Sequence, residues 1–224
     1  MVTAEEPCFS PELFAFLREL AAHNDREWFA ANKARYVAEV QEPALAFVED
    51  AGLRFPGEVS DHFAGSLFRI YRDTRFAKDK TPYKTHVGLY FRHARNTDTD
   101  TAGMYLHLEP GSVFMGAGIW HPGTPALKRI RDAIVARPAA WSSAVQAVAP
   151  TWEQSEGDKL KRAPTGYPSD HPLVEDLKRR SFAVISRLTQ RQATASGFLD
   201  EVQQRAAAAR PYMAFLSSAL GVEY

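Results

Sequence analysis

The stretch from Ser66 to Lys84, SLFRIYRDTRFAKDKTPYK, constrains the fold of this chain more than any other. It combines six cations with two carboxylates and four aromatic side chains. An unpaired charge is very costly to bury, so each cation must reach an acid, a bound anion or solvent. The cations are Arg69, Arg72, Arg75, Lys78, Lys80 and Lys84; the carboxylates are Asp73 and Asp79; the aromatics are Phe68, Tyr71, Phe76 and Tyr83.

The residue pattern predicts a strand, a loop and a second strand here. Ser66 to Arg72 is short and mostly apolar or aromatic, apart from an arginine on each face, which is awkward inside a sheet. Asp73 to Pro82 contains poor strand formers, and Pro82 biases Thr81 toward an extended backbone. Thr85 to His93 alternates between two faces, as expected of a half-buried strand.

The cations of this segment favour a site for a small phosphate or carboxylate ligand. Arginine provides a planar fork for such anions, and lysine provides a point charge. The aspartates would orient the cations or act as acid and base, with one loop histidine as a further candidate. The candidate ligand-binding residues are Arg69, Arg72, Arg75, Lys78, Lys80, Tyr83 and Lys84; the candidate catalytic residues are Asp73, Asp79 and His121.

Two other interpretations of the same residues stay open. Cations interleaved with Phe76, Tyr83 and Tyr90 also suit a module that binds single-stranded nucleic acid or an acidic protein partner. Alternatively, the segment is a structural network in which the arginines pair with nearby carboxylates, since charge clusters are more often structural than catalytic. An exposed basic groove would favour the binding module, and cations aimed at one point would favour an enzyme.

The motif FRIYRDTRFAKDKTPYK resembles the hallmark segment of a widespread bacterial and fungal family of unknown function. Ala77 stands where a serine is expected, which weakens any role for a hydroxyl there. The resemblance implies that the segment is the family's signature, and it implies no substrate, cofactor or reaction. Other matching stretches are an LxxLxxxNxxxWF-type run (Leu17, Leu20, Asn24, Trp28 and Phe29), MYLHLEPGSVFMGAGIWHP from Met104 to Pro122, and LKRAPTGYPSDHP from Leu160 to Pro172.

Size and charge suggest a soluble, cytoplasmic protein that forms one globular domain over residues 1–224. The formal net charge is zero, so no global field attracts the chain to nucleic acid or to a membrane. Cys8 is the only cysteine, which excludes an internal disulfide and favours a reducing compartment. The sequence shows neither a secretory signal nor an apolar run long enough to span a bilayer.

The pattern predicts an α+β fold in which an antiparallel meander of about four to five strands packs with several α-helices. Residues 102–109 and 113–120 predict a hairpin closed by Pro110-Gly111. One sheet face would be apolar: Val87, Leu89, Phe91, Met104, Leu106 and Leu108. The other would be a wet surface with cross-strand pairs such as Arg92 with Glu109, or a second candidate site: His86, Tyr90, Arg92, Tyr105, His107 and Glu109.

Several local predictions concern the rest of the chain. Asn24 is predicted to open a second helix, and a C-terminal helix over residues 194–220 is predicted to break at Pro211. Gly116 and Gly118 would leave space above the sheet for a ligand or a helix. The proline-rich loop from Leu160 to Pro172 would be functional, for example as a lid over the central segment.

Familiar chemical motifs do not occur in this sequence. It lacks a phosphate-binding loop, a dinucleotide fingerprint, a nucleophile elbow and the usual zinc-ligand spacings. We therefore predict no metal site, and the sequence defines no cofactor and no oligomeric state.

Overall fold

A computed structural model describes residues 7–54, 58–59, 67–93 and 101–222. The fold is α+β with an antiparallel sheet, which confirms the predicted class. The chain divides into two compact units. Unit 1 comprises Met1–Phe91, Tyr105–Met115 and Arg187–Gln203, and unit 2 comprises Arg92–Met104, Gly116–Ser186 and Gln204–Tyr224. The expectation of a single domain stays a prediction.

Helices form the N-terminal part of unit 1. They are α1 (Pro11–Ala22), α2 (Arg26–Ala31), α3 (Lys33–Arg35) and α4 (Glu42–Arg54), with a π-helical segment at Tyr36–Gln41. Helix α1 starts with proline at its first position and buries one apolar stripe, as its 3.6-residue period predicts. Pro43 cannot donate a backbone hydrogen bond, and the chain restarts as α4 around it.

In the described parts of the chain, the sheet has four strands of seven or eight residues and two very short ones. The order along the sheet is β1-β2-β3-β4-β6-β5. The predicted meander corresponds to β2, β3 and β4, and its predicted apolar face is fully buried. The strands are β1 (Glu58–Val59), β2 (Val87–His93), β3 (Gly103–Glu109), β4 (Ser112–Ile119), β5 (Glu153–Gln154) and β6 (Phe182–Leu188).

The remaining helices are α5 (Thr124–Ala136), α6 (Pro138–Val148), α7 (Val174–Leu177), α8 (Gln190–Ala193) and α9 (Phe198–Leu220). Trp141 is fully buried in unit 2, and its indole N–H donates to Asp176 over 2.9 Å. The Arg131 guanidinium is also buried and donates to the carbonyls of Leu177 (2.7 Å) and Arg179 (3.0 Å). These partners satisfy polar groups that would otherwise be costly to bury.

Two predicted elements differ from the structure. Instead of a continuous strand before the loop, single bridges join Leu67 to Leu89 and Tyr71 to Tyr83. An arginine on each face explains this, because neither side chain is buried among strands. The predicted break of α9 at Pro211 is wrong: the helix continues, because buried residues such as Tyr212 and Leu216 hold it on the core. The predicted hairpin tip at 94–100 lies outside the described residues.

The space predicted above Gly118 is filled by backbone. Gly118 has φ +122°, and a Cβ there would lie 2.1 Å from the carbonyl oxygen of Phe182 in β6. The absence of a side chain therefore lets two strands approach closely, and it leaves no room for a ligand at this position.

Candidate functional site

The segment from Leu67 to Lys84 folds back on itself in unit 1. The amide of Arg72 donates to the carbonyl of Pro82 over 2.9 Å, and the amide of Lys84 donates to the carbonyl of Ile70 over 2.7 Å. Residues 73–82 form the tip of this fold, as the predicted loop between two extended stretches requires.

Asn24 fastens the returning limb of the segment to the N-terminal helices. Its side-chain N–H donates to the carbonyl of Tyr83, and the Tyr83 amide donates back to its oxygen, both over 3.0 Å. The ring of Tyr83 is buried and stacks on Phe29 with 4.2 Å between centroids. Asn24 is therefore a clamp, and the prediction that it caps the second helix is wrong. The residue that caps α2 is Asp25, whose side chain accepts a hydrogen bond from the Trp28 amide over 2.8 Å.

Ion pairs stabilise the tip of the segment. Arg72 donates to Asp79 and to the hydroxyl of Thr81. Arg75 donates to both oxygens of Asp73, at 3.0 and 2.6 Å. The arginine partners lower the pKa of both carboxyls, and that of Asp79 falls to about 2. Both aspartates are thus poor bases, and their positions suit the predicted structural network.

The remaining cations of the tip point to solvent. Lys80 donates to the carbonyl of Thr74 over 2.8 Å, and Lys78 is exposed. Phe76 lies between Arg75 and Lys78 in the sequence, and 95% of its surface is exposed. Phe76 is thus a single apolar ring exposed among cations.

Arg69 and Lys84 are cations near the base of the segment, and their charges interact. The Lys84 ammonium lies over the ring of Phe68, 5.5 Å from its centroid. Burial lowers the pKa of Lys84, and the neighbouring Arg69 charge lowers it further. Arg69 also lies within the field of Asp73, which is already paired with Arg75. Within the described parts of the chain, neither Arg69 nor Lys84 makes an ion pair with a carboxylate.

A hydrogen-bonded chain of side chains lies beside this pair on the polar face of the sheet. The Tyr105 hydroxyl is 3.0 Å from Nδ1 of His107, and Nε2 of His107 is 3.2 Å from Glu109. The Thr85 hydroxyl donates to the second Glu109 oxygen over 3.0 Å. A carboxylate only accepts, so in the neutral imidazole Nε2 donates to Glu109 and Nδ1 accepts from Tyr105.

His86 completes this cluster. Its ring lies 4.5 Å from that of His107. Burial lowers the pKa of His86 to about 4, and the neighbouring His107 and Lys84 act in the same direction, while Glu109 opposes them. His86 is therefore neutral at physiological pH. Groups with perturbed pKa values that gather on a partly open face are a sign of a functional site.

Gly88 makes room for the aromatic floor of the cluster. A Cβ at this position would lie 2.7 Å from the Tyr105 hydroxyl and 3.0 Å from the Phe68 ring. Phe68 also stacks near Tyr90, with 6.2 Å between centroids. Only glycine lets these rings settle directly on the strand.

Two predicted features belong to unit 2. His121 is exposed and has φ +48°, and its ring lies 4.9 Å from that of Trp120, which is 62% exposed. In the proline-rich loop, the Tyr167 hydroxyl donates to Asp132 over 2.8 Å. This loop borders an open depression of about 510 Å³. The predicted roles of the loop as a lid and of His121 as a catalytic group stay predictions.

Sequence reasoning named most of this site but not all of it. The period-two spacing of Tyr105, His107 and Glu109 placed them on one face, and the structure joins them by hydrogen bonds. Thr85 and Phe114, whose ring stacks 4.6 Å from that of His107, were missed. The predicted hairpin could have indicated Phe114, because a turn at Pro110-Gly111 places Phe114 opposite His107.

The described part of the chain offers neither a metal-ligand cluster nor a membrane span. It contains no group of three or more histidine, cysteine or acidic side chains that is arranged to hold a metal ion. It also contains no helix that is long and apolar enough to cross a bilayer.

The fold and the site define an α+β protein with a partly buried titratable cluster beside a cationic loop. A family model described as "Conserved hypothetical protein (DUF2461)" matches residues 12–215. The match spans most of the chain, so the chain belongs to this family. No curated protein and no solved structure matches it. The family description assigns no activity, so any function must be argued from the site itself.

Proposed function

We propose that the protein binds a small phosphate- or carboxylate-bearing ligand at Arg69 and Lys84. The observation that supports this most strongly is the partly buried Lys84 ammonium, whose pKa is lowered first by burial and further by the charge of Arg69. Two like charges repel each other, and burial adds a desolvation cost. A bound anion would remove both penalties.

The chemistry of the two side chains suits such a ligand. Arg69 offers a planar fork that matches two oxygens of a phosphate or carboxylate, and Lys84 offers a point charge. The other predicted arginines, Arg72 and Arg75, are already held by Asp79 and Asp73. The ligand site is therefore narrower than the whole signature segment and lies at its base.

The loop tip favours a second candidate function, the docking of an acidic partner. Phe76 is 95% exposed and is flanked by Arg75 and Lys78. Stacking on a single nucleic-acid strand receives less support, because Tyr83 is buried against Phe29. An acidic protein segment with one apolar anchor would suit the tip better than a row of bases.

Thermal unfolding in the presence of candidate ligands tests the proposal. Inorganic phosphate, sugar phosphates, dicarboxylates, nucleotides and a short oligonucleotide would be compared at matched ionic strength. A ligand that binds only the folded state raises the midpoint by mass action. We expect a small anion to raise the midpoint of the wild type, and we expect Lys84→Met to abolish the rise.

Lys33→Met is the matched control, because Lys33 is exposed on α3 in the same unit. It should keep the ligand-induced rise. A rise with the oligonucleotide alone would contradict the small-anion site, as would a rise that survives in Lys84→Met.

A further inference from the structure

We propose that Tyr105, His107 and Glu109 form a proton relay that hydrolyses a small phosphate ester, with Tyr105 as the residue that contacts the attacking water. This inference rests on the proposed function, because it takes the phosphate group to be held by Arg69 and Lys84. It assigns the acid–base role to the sheet and not to the aspartates of the loop.

The geometry of the relay is that of a hydroxyl, a base and an orienting carboxylate. The three residues alternate along β3 and share one face. The Tyr105 hydroxyl is 3.0 Å from Nδ1 of His107, whose Nε2 is 3.2 Å from Glu109. This order of contacts is the general signature of an activated hydroxyl, and it is defined by roles and not by sequence position.

The base of the relay is held in place on several sides. His107 is only 8% exposed; its ring stacks on Phe114 at 4.6 Å, and the tilted ring of His86 lies 4.5 Å away. Thr85 fixes the Glu109 carboxylate through a 3.0 Å hydrogen bond. A fixed orientation of this kind is what an efficient proton transfer requires.

Phe68 connects the relay to the anion site. Its ring lies 5.9 Å from that of Tyr105 and carries the Lys84 ammonium at 5.5 Å. The Tyr105 hydroxyl rests on Gly88, beside Phe68. A phosphate held by Lys84 would therefore lie one side chain away from the relay hydroxyl.

The proposed reaction is balanced without another reactant. The water oxygen forms a bond to phosphorus, its proton passes to the Tyr105 oxygen, and the Tyr105 proton passes to Nδ1 of His107. Glu109 stabilises the imidazolium. The bond from phosphorus to the leaving oxygen breaks, and the reverse transfer delivers the proton to that oxygen, which yields an alcohol and inorganic phosphate.

The raised pKa of Tyr105 explains why a base is needed. Burial, together with the charge of Glu109, raises the pKa of Tyr105 to about 12. The phenol therefore stays protonated between turnovers, and it accepts the water proton only when His107 removes its own.

Hydrolysis of para-nitrophenyl phosphate by the full chain tests the relay, with the thermal shift caused by inorganic phosphate measured alongside. We expect the wild type to release nitrophenol. Tyr105→Phe should lose about 10²- to 10⁴-fold in kcat, the usual contribution of a positioned acid or base, and should keep the phosphate-induced shift. Tyr36→Phe changes a half-buried tyrosine in the same unit; it is the control and should keep kcat.

Glu109→Gln separates positioning from structure. It keeps an acceptor for Nε2 of His107 but removes the charge, so kcat should fall and the acidic limb of its pH profile should move. The groups that face His107 in this titration are Tyr105, Glu109 and His86. An unchanged pH profile would overturn the relay.

The outcomes distinguish the relay from the anion site. A phosphate-induced shift without hydrolysis, or full activity in Tyr105→Phe, would overturn the relay and leave the anion site standing. Hydrolysis that needs Tyr105 but survives in Lys84→Met would overturn the anion site and, with it, the placement of the phosphate beside the relay. Nitrogen NMR of the imidazole offers a further check, since a proton on Nδ1 of neutral His107 would also overturn the relay.

Discussion

The environment of each titratable side chain decides whether its charged form or its neutral form is stabilised. Asp73 and Asp79 are paired with arginines, whereas His86 lies in a partly buried pocket among His107, Glu109 and Lys84. The first situation stabilises the charged form of a residue, and the second stabilises the neutral form. The loop therefore keeps its carboxylates ionised, whereas burial on the sheet face keeps His86 neutral.

The lowered pKa of His86 predicts an acid-sensitive fold. The ordinary value is 6.5 and the folded value is about 4, so between these pH values the unfolded chain binds a proton that the folded chain does not. Stability should be unaffected by this group above pH 6.5 and should fall by roughly 1–3 kcal/mol as the pH drops toward 4. Urea unfolding at several pH values checks this, and a slope in His86→Gln equal to that of the wild type would contradict it.

The Asn24 clamp predicts a large cost for a single polar truncation. Asn24→Ala removes two hydrogen bonds and leaves the partly buried N–H and carbonyl of Tyr83 without their partners. We expect a loss of about 1–3 kcal/mol in the free energy of unfolding. Asn24→Asp keeps the acceptor and should cost less; equal losses in both variants would show that the donor alone matters.

The elements show where pattern-based prediction succeeds and where it fails. Strands β2 to β4 follow from period-two alternation, because one of their faces is fully buried and the other is buried only in part. The strand predicted before the loop fails, since two arginines on opposite faces cannot both find a buried partner. The predicted break in α9 fails for another reason. Long-range packing around Tyr212 and Leu216 outweighs the local effect of Pro211.

The candidate site was predictable only in part. Alternation along the sequence placed Tyr105, His107 and Glu109 on one face, but spacing carries no information on hydrogen bonds. The interaction of Arg69 with Lys84 depends on how the segment folds back, and the Asn24 clamp joins residues far apart in sequence. Contacts of this kind follow from the tertiary fold, which no local pattern encodes.

Two glycines test how the strands of the sheet meet. Gly111→Ala adds a side chain in open space at φ +81° and should cost about 1–2 kcal/mol, the cost of a left-handed backbone. Gly118→Ala carries a similar backbone cost, and it also forces a Cβ to within 2.1 Å of the Phe182 carbonyl oxygen. We expect this clash to cost about 1–3 kcal/mol more. Unfolding midpoints compare the two, and equal costs would contradict the close approach of β4 and β6.

The whole molecule has a formal net charge of zero, so any attraction of an anion must come from a local group of cations. The segment from Leu67 to Lys84 combines ion pairs at its tip with the interacting charges of Arg69 and Lys84 at its base. Association driven by such a pair should weaken with salt only modestly, because partly buried charges are screened less than exposed ones. An acidic partner docked at the exposed tip would respond to salt more strongly.

The most direct test of the central claim is the pKa of Lys84, followed by NMR of nitrogen-labelled lysine with and without inorganic phosphate. In chloride alone, we expect the pKa of Lys84 to lie below the ordinary 10.5, and we expect Arg69→Met to raise it. Added phosphate should raise it as well, because the anion would lie between the two cations. An ordinary pKa that responds neither to Arg69→Met nor to phosphate would contradict the anion site.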